Sequence, residues 1–180
     1  MLFLTLLVCF VLSVVITPII KKFAFAIGAT DRPNQRKVHQ KLMPRLGGLA
    51  IFISFIFGVF MLRPENQVST AILIGSLIIV LTGILDDIME LGAKYKFAGQ
   101  LAAACTVVFF GNLEVSFINL PFGGQLQFGL LSIPFTIVWI VGITNAINLI
   151  DGLDGLAAGV SSIALITISG MAIIQGNIYM

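Results

Sequence analysis

Two amides and two carboxylates follow one another at intervals of three residues in the last quarter of the sequence. These residues are Asn145, Asn148, Asp151 and Asp154. A second acidic pair, Asp86 and Asp87, ends an earlier apolar run. Unpaired polar groups are costly next to hydrocarbon, so such groups in an apolar chain need a chemical reason. Together they predict a polar, cation-dependent site at a membrane surface.

The composition is that of an integral membrane protein. The 180 residues are 58% hydrophobic and 10% charged, whereas a soluble domain carries about a quarter charged residues. Six apolar runs approach the roughly 20 residues that a membrane helix needs. They span Leu2–Ile20, Gly47–Leu62, Val68–Leu85, Phe97–Gly111, Gly129–Ile147 and Leu156–Gln175. We therefore expect an all-α, polytopic membrane helix bundle of about six transmembrane helices, forming one integral membrane region over residues 1–180.

The basic residues predict the orientation of these helices. Of the ten Lys and Arg residues, only Arg63 falls outside the first and third loops. Because positive loops stay in the cytoplasm, we expect loops one, three and five there and the N-terminus outside. Residues 21–46 are then a cytoplasmic basic loop. The acidic motifs share that cytoplasmic face.

The loop at residues 112–128 has a different pattern. Apolar and polar residues partly alternate on both sides of Pro121-Phe122-Gly123-Gly124. This pattern predicts a small extracellular β-hairpin.

Asp86 and Asp87 are expected near the C-terminal end of the third helix. Carboxylates there oppose the helix dipole, and two adjacent like charges repel each other. A bound cation or a nearby basic group would explain them. The alternative, that the pair only marks the water boundary, remains open on this pattern alone.

The Asn/Asp series predicts a break between two helices. Gly152 and Gly155 disfavour a continuous helix, so we expect the fifth helix to end near Asn148 and the sixth to open around Gly155. Helix N-termini attract phosphate, and carboxylates beside one can hold Mg²⁺ against phosphate oxygens. The alternative is simple N-capping by Asp and a polar turn, which leaves the amides unexplained.

The first loop holds basic side chains suited to phosphate. Arginine can contact phosphate with two parallel hydrogen bonds, and His39 is the only histidine, which is a weak sign of general-base work. The candidate substrate-binding residues of this loop are Arg36, Lys37, His39 and Arg45. The alternative is an anchor for anionic lipid heads, which we prefer for Lys21, Lys22 and Lys41.

Three motifs stand in order along the chain, within residues 31–48, 83–87 and 145–157. In this order and spacing the chain resembles the polyprenyl-phosphate N-acetylhexosamine-1-phosphate transferases over essentially its whole length. The form Pro44-Arg45-Leu46-Gly47-Gly48 is similar to the branch that uses UDP-N-acetylglucosamine and starts teichoic acid or O-antigen synthesis in bacteria. It is less similar to the branch that uses UDP-MurNAc-pentapeptide.

The resemblance implies transfer of N-acetylglucosamine 1-phosphate from UDP-GlcNAc to undecaprenyl phosphate, with release of UMP, at the cytoplasmic face of the plasma membrane. Mg²⁺ is the implied cofactor, with Mn²⁺ as an alternative. The implied partners are the two substrates and the lipid bilayer, without nucleic acid, and a homodimer is left open. The resemblance makes Asp86 and Asp87 catalytic and adds Asp151 as a further metal ligand. The substrate-binding set becomes Lys94, Asn145, Asn148, Asp154, Arg36, Lys37, His39 and Arg45.

The resemblance also implies that these residues are the N-terminal portion of a longer transferase. Family members carry a later metal-ligating Asp motif and a His-rich loop. We therefore expect the chain alone to lack transferase activity, and co-expression of the missing half to restore it. Two other classes remain open, namely half of a membrane transporter and a non-catalytic membrane subunit.

Overall fold

Six α-helices account for most of the chain that the structure describes. The structure is a computed structural model, and it describes residues 2–31, 42–64, 66–152 and 155–176. The helices are α1 (Leu2–Ala26), α2 (Gly47–Leu62), α3 (Gln67–Met89), α4 (Ala93–Cys105), α5 (Ser132–Ile150) and α6 (Leu156–Ile174). A π-helical segment, Thr106–Phe110, continues α4, and a short 3-10 helix, Gly129–Leu131, precedes α5. The expected all-α class is confirmed.

Within the described residues, four helical segments are long and apolar enough to cross a membrane. They are Leu2–Ala26, Gln67–Met89, Gly129–Ile150 and Leu156–Ile174. Helix α2 is apolar but has only 16 residues, which is about 24 Å of helix at 1.5 Å per residue. The chain is thus a multi-pass helical membrane protein, and the predicted total of six spans stays a prediction.

Helix α1 continues beyond its predicted end. It runs to Ala26 rather than to Ile20, so Lys21 and Lys22 lie on its last turns and not in an irregular loop. The connection to α2 then contains a small antiparallel sheet of β1 (Thr30–Asp31) and β2 (Met43–Pro44). The sequence analysis did not predict this sheet.

The predicted hairpin is present. Strands β3 (Phe117–Asn119) and β4 (Gln125–Gln127) pair in antiparallel register, with Ile118 opposite Leu126. Gly123 and Gly124 turn the chain with φ of 92° and 93°, a region that only glycine enters at little cost. Its position on the outer side of the membrane stays a prediction.

The chain divides into two compact units, residues 1–138 and 139–180, with the boundary inside α5. In the first unit α1 packs against α2, and α3 packs against α4 and its π-helical continuation. Glycine allows the close approach of α3 and α4. A Cβ built on Gly75 would lie 2.9 Å from Cγ2 of Val107 and 3.3 Å from the carbonyl oxygen of Ala103. This unit holds the end of α3 that carries Asp86 and Asp87.

We expect Gly75→Leu to weaken the contact between α3 and α4. The larger side chain has no room against Val107 and should lower the free energy of unfolding by about 1–3 kcal/mol. The matched control is Gly83→Leu in the same helix, because a Cβ there meets no described atom within 4 Å. Thermal unfolding of both variants in one detergent measures the difference. Equal melting temperatures would contradict the close approach.

Candidate functional site

The two candidate catalytic carboxylates lie in the last turn of α3, as predicted. The helix ends at Met89, and Glu90 follows it in the left-handed conformation with φ 51°. Asp86 and Asp87 are both half-buried. They therefore lie at the boundary between α3 and the connection to α4. Each carboxylate has a contact that orients it.

Asp86 is held by a lysine of the next helix. Nζ of Lys96, in the first turns of α4, lies 2.8 Å from Oδ2 of Asp86. Lys94, and not Lys96, was the lysine expected in the substrate-binding set. Residues two apart on a helix point about 200° away from each other. Lys94 is exposed and makes no ion pair with a described residue, so Lys96 is the lysine that reaches the carboxylates.

Asp87 contacts the start of α2. Its Oδ2 accepts a hydrogen bond from the backbone N–H of Leu46 at 3.0 Å. Leu46 is the residue before α2, is 3% exposed, and has φ 70°. The N–H of this N-cap residue has no acceptor within the helix, and a carboxylate 41 residues away in sequence accepts its hydrogen bond.

Arg45 is ion-paired within the protein. Its Nη2 lies 2.8 Å from Oδ1 of Asp31 and 3.8 Å from Oε1 of Glu90. The side chain of Glu90 is 79% exposed, so the longer contact contributes little. The backbone N–H of Arg45 donates to the carbonyl of Ala29 at 3.0 Å. Arg45 thus joins the α1–α2 connection to the end of α3, whereas its predicted contact with substrate stays a prediction.

A small apolar core supports these polar contacts. Ala24, Ala29 and Leu46 are fully or almost fully buried, and Ile20 and Ile84 pack against them. Ile84 belongs to α3, two residues before the carboxylates. We call the charged residues above this core the α3-end cluster. Its members are Asp31, Arg45, Asp86, Asp87, Glu90 and Lys96.

The glycines after Arg45 leave space beside the cluster. A Cβ built on Gly47 or Gly48 meets no described atom within 4 Å. Packing between helices therefore does not require glycine here. The first turn of α2 exposes backbone N–H groups, and the absence of side chains lets a ligand approach them.

The predicted Asn/Asp series lies in the second compact unit. Helix α5 ends at Ile150, and Gly155 precedes α6 with φ 75°, so the predicted break between the two helices is confirmed. Asn145 and Asn148 are exposed on the last turns of α5, and Asp151 is exposed in the turn. Four other candidates fall outside the described residues. They are Arg36, Lys37, His39 and Asp154.

The cluster offers oxygen ligands of the kind that Mg²⁺ prefers. Among the described residues, no three His, Cys, Asp or Glu side chains come close enough to form a metal site alone. Mg²⁺ is usually held by one or two carboxylates, with phosphate oxygens and water completing its shell. Adjacent Asp86 and Asp87 fit that mode of binding.

A comparison with protein-family models decides the family. The model of glycosyl transferase family 4 matches residues 69–180. The chain belongs to this family. No solved structure matches it.

Curated relatives of the chain are polyprenyl-phosphate sugar-phosphate transferases. It is 52% identical over 167 residues to the probable undecaprenyl-phosphate N-acetylglucosaminyl 1-phosphate transferase of Bacillus subtilis, covering 91% of this chain and 46% of the relative. It is 35% identical to the decaprenyl-phosphate N-acetylglucosaminephosphotransferase of Mycobacterium tuberculosis, covering 83% of this chain and 40% of the relative. It is 30% identical to the undecaprenyl-phosphate alpha-N-acetylglucosaminyl 1-phosphate transferase of Escherichia coli, with 82% and 41% covered. The chain thus spans less than half the length of these relatives.

We expect Asp87 to stabilise the fold through its contact with Leu46. Asp87→Ala removes the acceptor and should cost about 1 kcal/mol of unfolding free energy, as loss of a helix cap does. Asp87→Asn keeps a carbonyl oxygen in the same place and should cost less. Thermal unfolding of the two variants separates the hydrogen bond from the charge. If both variants melt at the temperature of the wild type, the contact does not stabilise α2.

Proposed function

We propose that this family 4 transferase chain provides part of an active site that moves N-acetylglucosamine 1-phosphate from UDP-GlcNAc to undecaprenyl phosphate. UMP leaves, and a lipid-linked pyrophosphoryl sugar forms. The observation that carries the proposal is the α3-end cluster, in which Asp86 is oriented by Lys96 and Asp87 by the N–H of Leu46, the residue before α2. The names of the relatives support the lipid acceptor and the transferred group.

The reaction needs two phosphate-bearing substrates to meet. An oxygen of the lipid phosphate attacks the phosphorus that carries the sugar, a new P–O bond forms, and the bond to the UMP oxygen breaks. The end of a membrane-spanning helix suits this chemistry, because the polyprenyl chain stays in the bilayer while its phosphate reaches the interface. Catalysis of phosphoryl transfer is mainly positioning and charge stabilisation.

Each part of the cluster has a proposed task. Lys96 orients Asp86 and is close enough to contact a phosphate oxygen beside it. The open N-terminus of α2 at Gly47 and Gly48 offers backbone donors to a phosphate. Arg45 holds the loop in place through Asp31. Asp86 and Asp87 are the residues that would orient the attacking phosphate or take its proton.

Asp86 and Asp87 would also hold Mg²⁺, with Asp151 added by the resemblance of its motif and Mn²⁺ as a substitute. When bound, the ion offsets the repulsion between the two phosphates and polarises the pyrophosphate. Asn145, Asn148 and Asp154 are proposed to bind the nucleotide sugar, together with the basic residues Arg36, Lys37 and His39 of the first loop.

The proposed location is the cytoplasmic face of the plasma membrane. Nine of the ten basic residues lie on the side of Asp86 and Asp87 in the predicted topology, which supports this orientation. The product would start teichoic acid or a related cell-wall polymer. Membership of family 4 gives no support to the alternative of half a transporter.

A chimera tests the proposal without depending on where the chain begins or ends. This chain replaces the matching segment of the Bacillus subtilis relative, to which it is 52% identical, and UMP release is measured in membranes with UDP-GlcNAc, undecaprenyl phosphate and Mg²⁺. Asp86→Asn and Asp87→Asn should each reduce turnover at least about a hundredfold. Lys96→Gln should reduce it about tenfold, as expected for loss of one hydrogen bond to a charged group.

Lys94→Gln is the matched control for Lys96→Gln, because both lysines lie at the start of α4. We expect a smaller loss in the Lys94 variant. A larger loss there would return the phosphate contact to Lys94. Near-normal turnover in both Asp variants would reduce the carboxylates to markers of the water boundary, and the proposed function would be wrong.

A further inference from the structure

The β3–β4 hairpin has one polar and one apolar face. Residues that pair across antiparallel strands share a face, and neighbours along a strand point to opposite faces. Asn119 pairs with Gln125, and their amides are 3.2 Å apart. Ile118 pairs with Leu126 on the opposite face. Phe117 pairs with Gln127 on the same face as Asn119 and Gln125. The hairpin is therefore amphipathic, with a purely aliphatic face and an amide face that carries three amides and the Phe117 ring.

The apolar side chains of the hairpin are not covered by the described chain. Ile118 and Leu126 are 42% and 52% exposed, and Phe122 at the turn is 101% exposed. The sequence from Val115 to Ile150 contains no Asp, Glu, Lys, Arg or His. An exposed apolar surface without charge is unfavourable in water and typical of contact with another apolar phase.

The base of the hairpin is fixed to the start of a membrane span. The backbone N–H of Val115 donates to Oγ1 of Thr136 at 2.9 Å, and Thr136 is 2% exposed. The rings of Phe128 and Phe135 stack with centroids 4.2 Å apart. The candidate span Gly129–Ile150 begins two residues after β4 ends. The base of the hairpin is thus held against the start of a candidate membrane span.

The hairpin lies at the end of the α3–α4 pair that is remote from the carboxylates. Nε2 of Gln67, the first residue of α3, donates to the carbonyl of Phe110 at 2.7 Å. Asp86 is 19 residues further along α3, which corresponds to about 28 Å at 1.5 Å per residue. That distance is close to the thickness of the hydrocarbon core.

We propose that the hairpin is a membrane-surface anchor. Its aliphatic face and Phe122 lie in the boundary between phospholipid headgroups and acyl chains, while its amide face contacts water. Zwitterionic phospholipid suffices as the partner, because the hairpin has no charge with which to select anionic headgroups. The anchor would hold the start of α5 at a fixed depth in the bilayer. This proposal does not depend on the proposed transferase reaction.

The geometry favours lipid over a second copy of the chain. Each strand has only three residues, whereas a stable protein interface buries about 800 Å² per partner. The bilayer requires no such area from the hairpin itself, because the adjoining span already fixes the chain in the membrane.

Tryptophan scanning of the hairpin tests this anchor. The whole chain is reconstituted in phosphatidylcholine vesicles in a Trp139→Phe background, which removes its single tryptophan. One tryptophan is then placed by Gln125→Trp, Leu126→Trp, Gln127→Trp or Phe122→Trp, and quenching by phosphatidylcholine brominated near the headgroup is compared with quenching by aqueous acrylamide. We expect brominated lipid to quench the tryptophans at 122 and 126 at least about twofold more than those at 125 and 127, because the hairpin alternates with period two.

Two outcomes would overturn the proposal. Equal quenching by acrylamide at all four positions would place the hairpin in water. Alternatively, the tryptophans at 122 and 126 could give blue-shifted emission that brominated lipid does not quench. If that blue shift decreases as the protein is diluted into more lipid, the face contacts a second copy of the chain. If Leu126→Trp does not reconstitute, quenching is compared between Phe122→Trp and Gln125→Trp. Neither of these changes alters the pair Ile118 and Leu126.

Discussion

At the candidate site, the hydrogen bond from the N–H of Leu46 to Asp87 links the α1–α2 pair to the α3–α4 pair. The first N–H groups of any helix lack partners within the helix, and near a membrane they cannot all rely on water. Here the N–H concerned is that of Leu46, the residue before α2. A carboxylate at the end of α3 accepts its hydrogen bond. One side chain therefore stabilises the start of α2 and belongs to the proposed catalytic pair.

Other contacts of the cluster support the same junction. The Arg45–Asp31 pair holds the connection from α1, and Leu46 is buried with Ala24 and Ala29 beneath it. Lys96 brings the start of α4 to Asp86. Glycines at positions 75 and 99 let α3 and α4 pack closely. The start of α2, the end of α3 and the start of α4 thus meet at Asp86 and Asp87, and a contact on each carboxylate restricts its reorientation.

The sequence predicted the helices and the position of Asp86 and Asp87 at the end of α3, because both depend on local patterns. Apolar runs mark spans, and the break around Gly155 follows from glycine and asparagine chemistry. The partners of those carboxylates could not be predicted in the same way. The contact of Asp87 with Leu46 joins residues far apart in sequence, and the preference for Lys96 over Lys94 depends on which way α4 faces α3. The β1–β2 pairing was missed because two-residue strands leave no periodic pattern.

Hydrogen exchange at the amide of Leu46 tests the central claim most directly. In the whole chain in detergent micelles or nanodiscs, residue-resolved exchange of this amide is compared between the wild type and Asp87→Ala, with Asp86→Ala as the matched control. Loss of a helix cap worth about 1 kcal/mol should speed exchange about fivefold in Asp87→Ala and leave Asp86→Ala near the wild-type rate. Equal exchange rates in all three proteins would show that Asp87 does not cap α2, and the junction proposed for the site would be wrong.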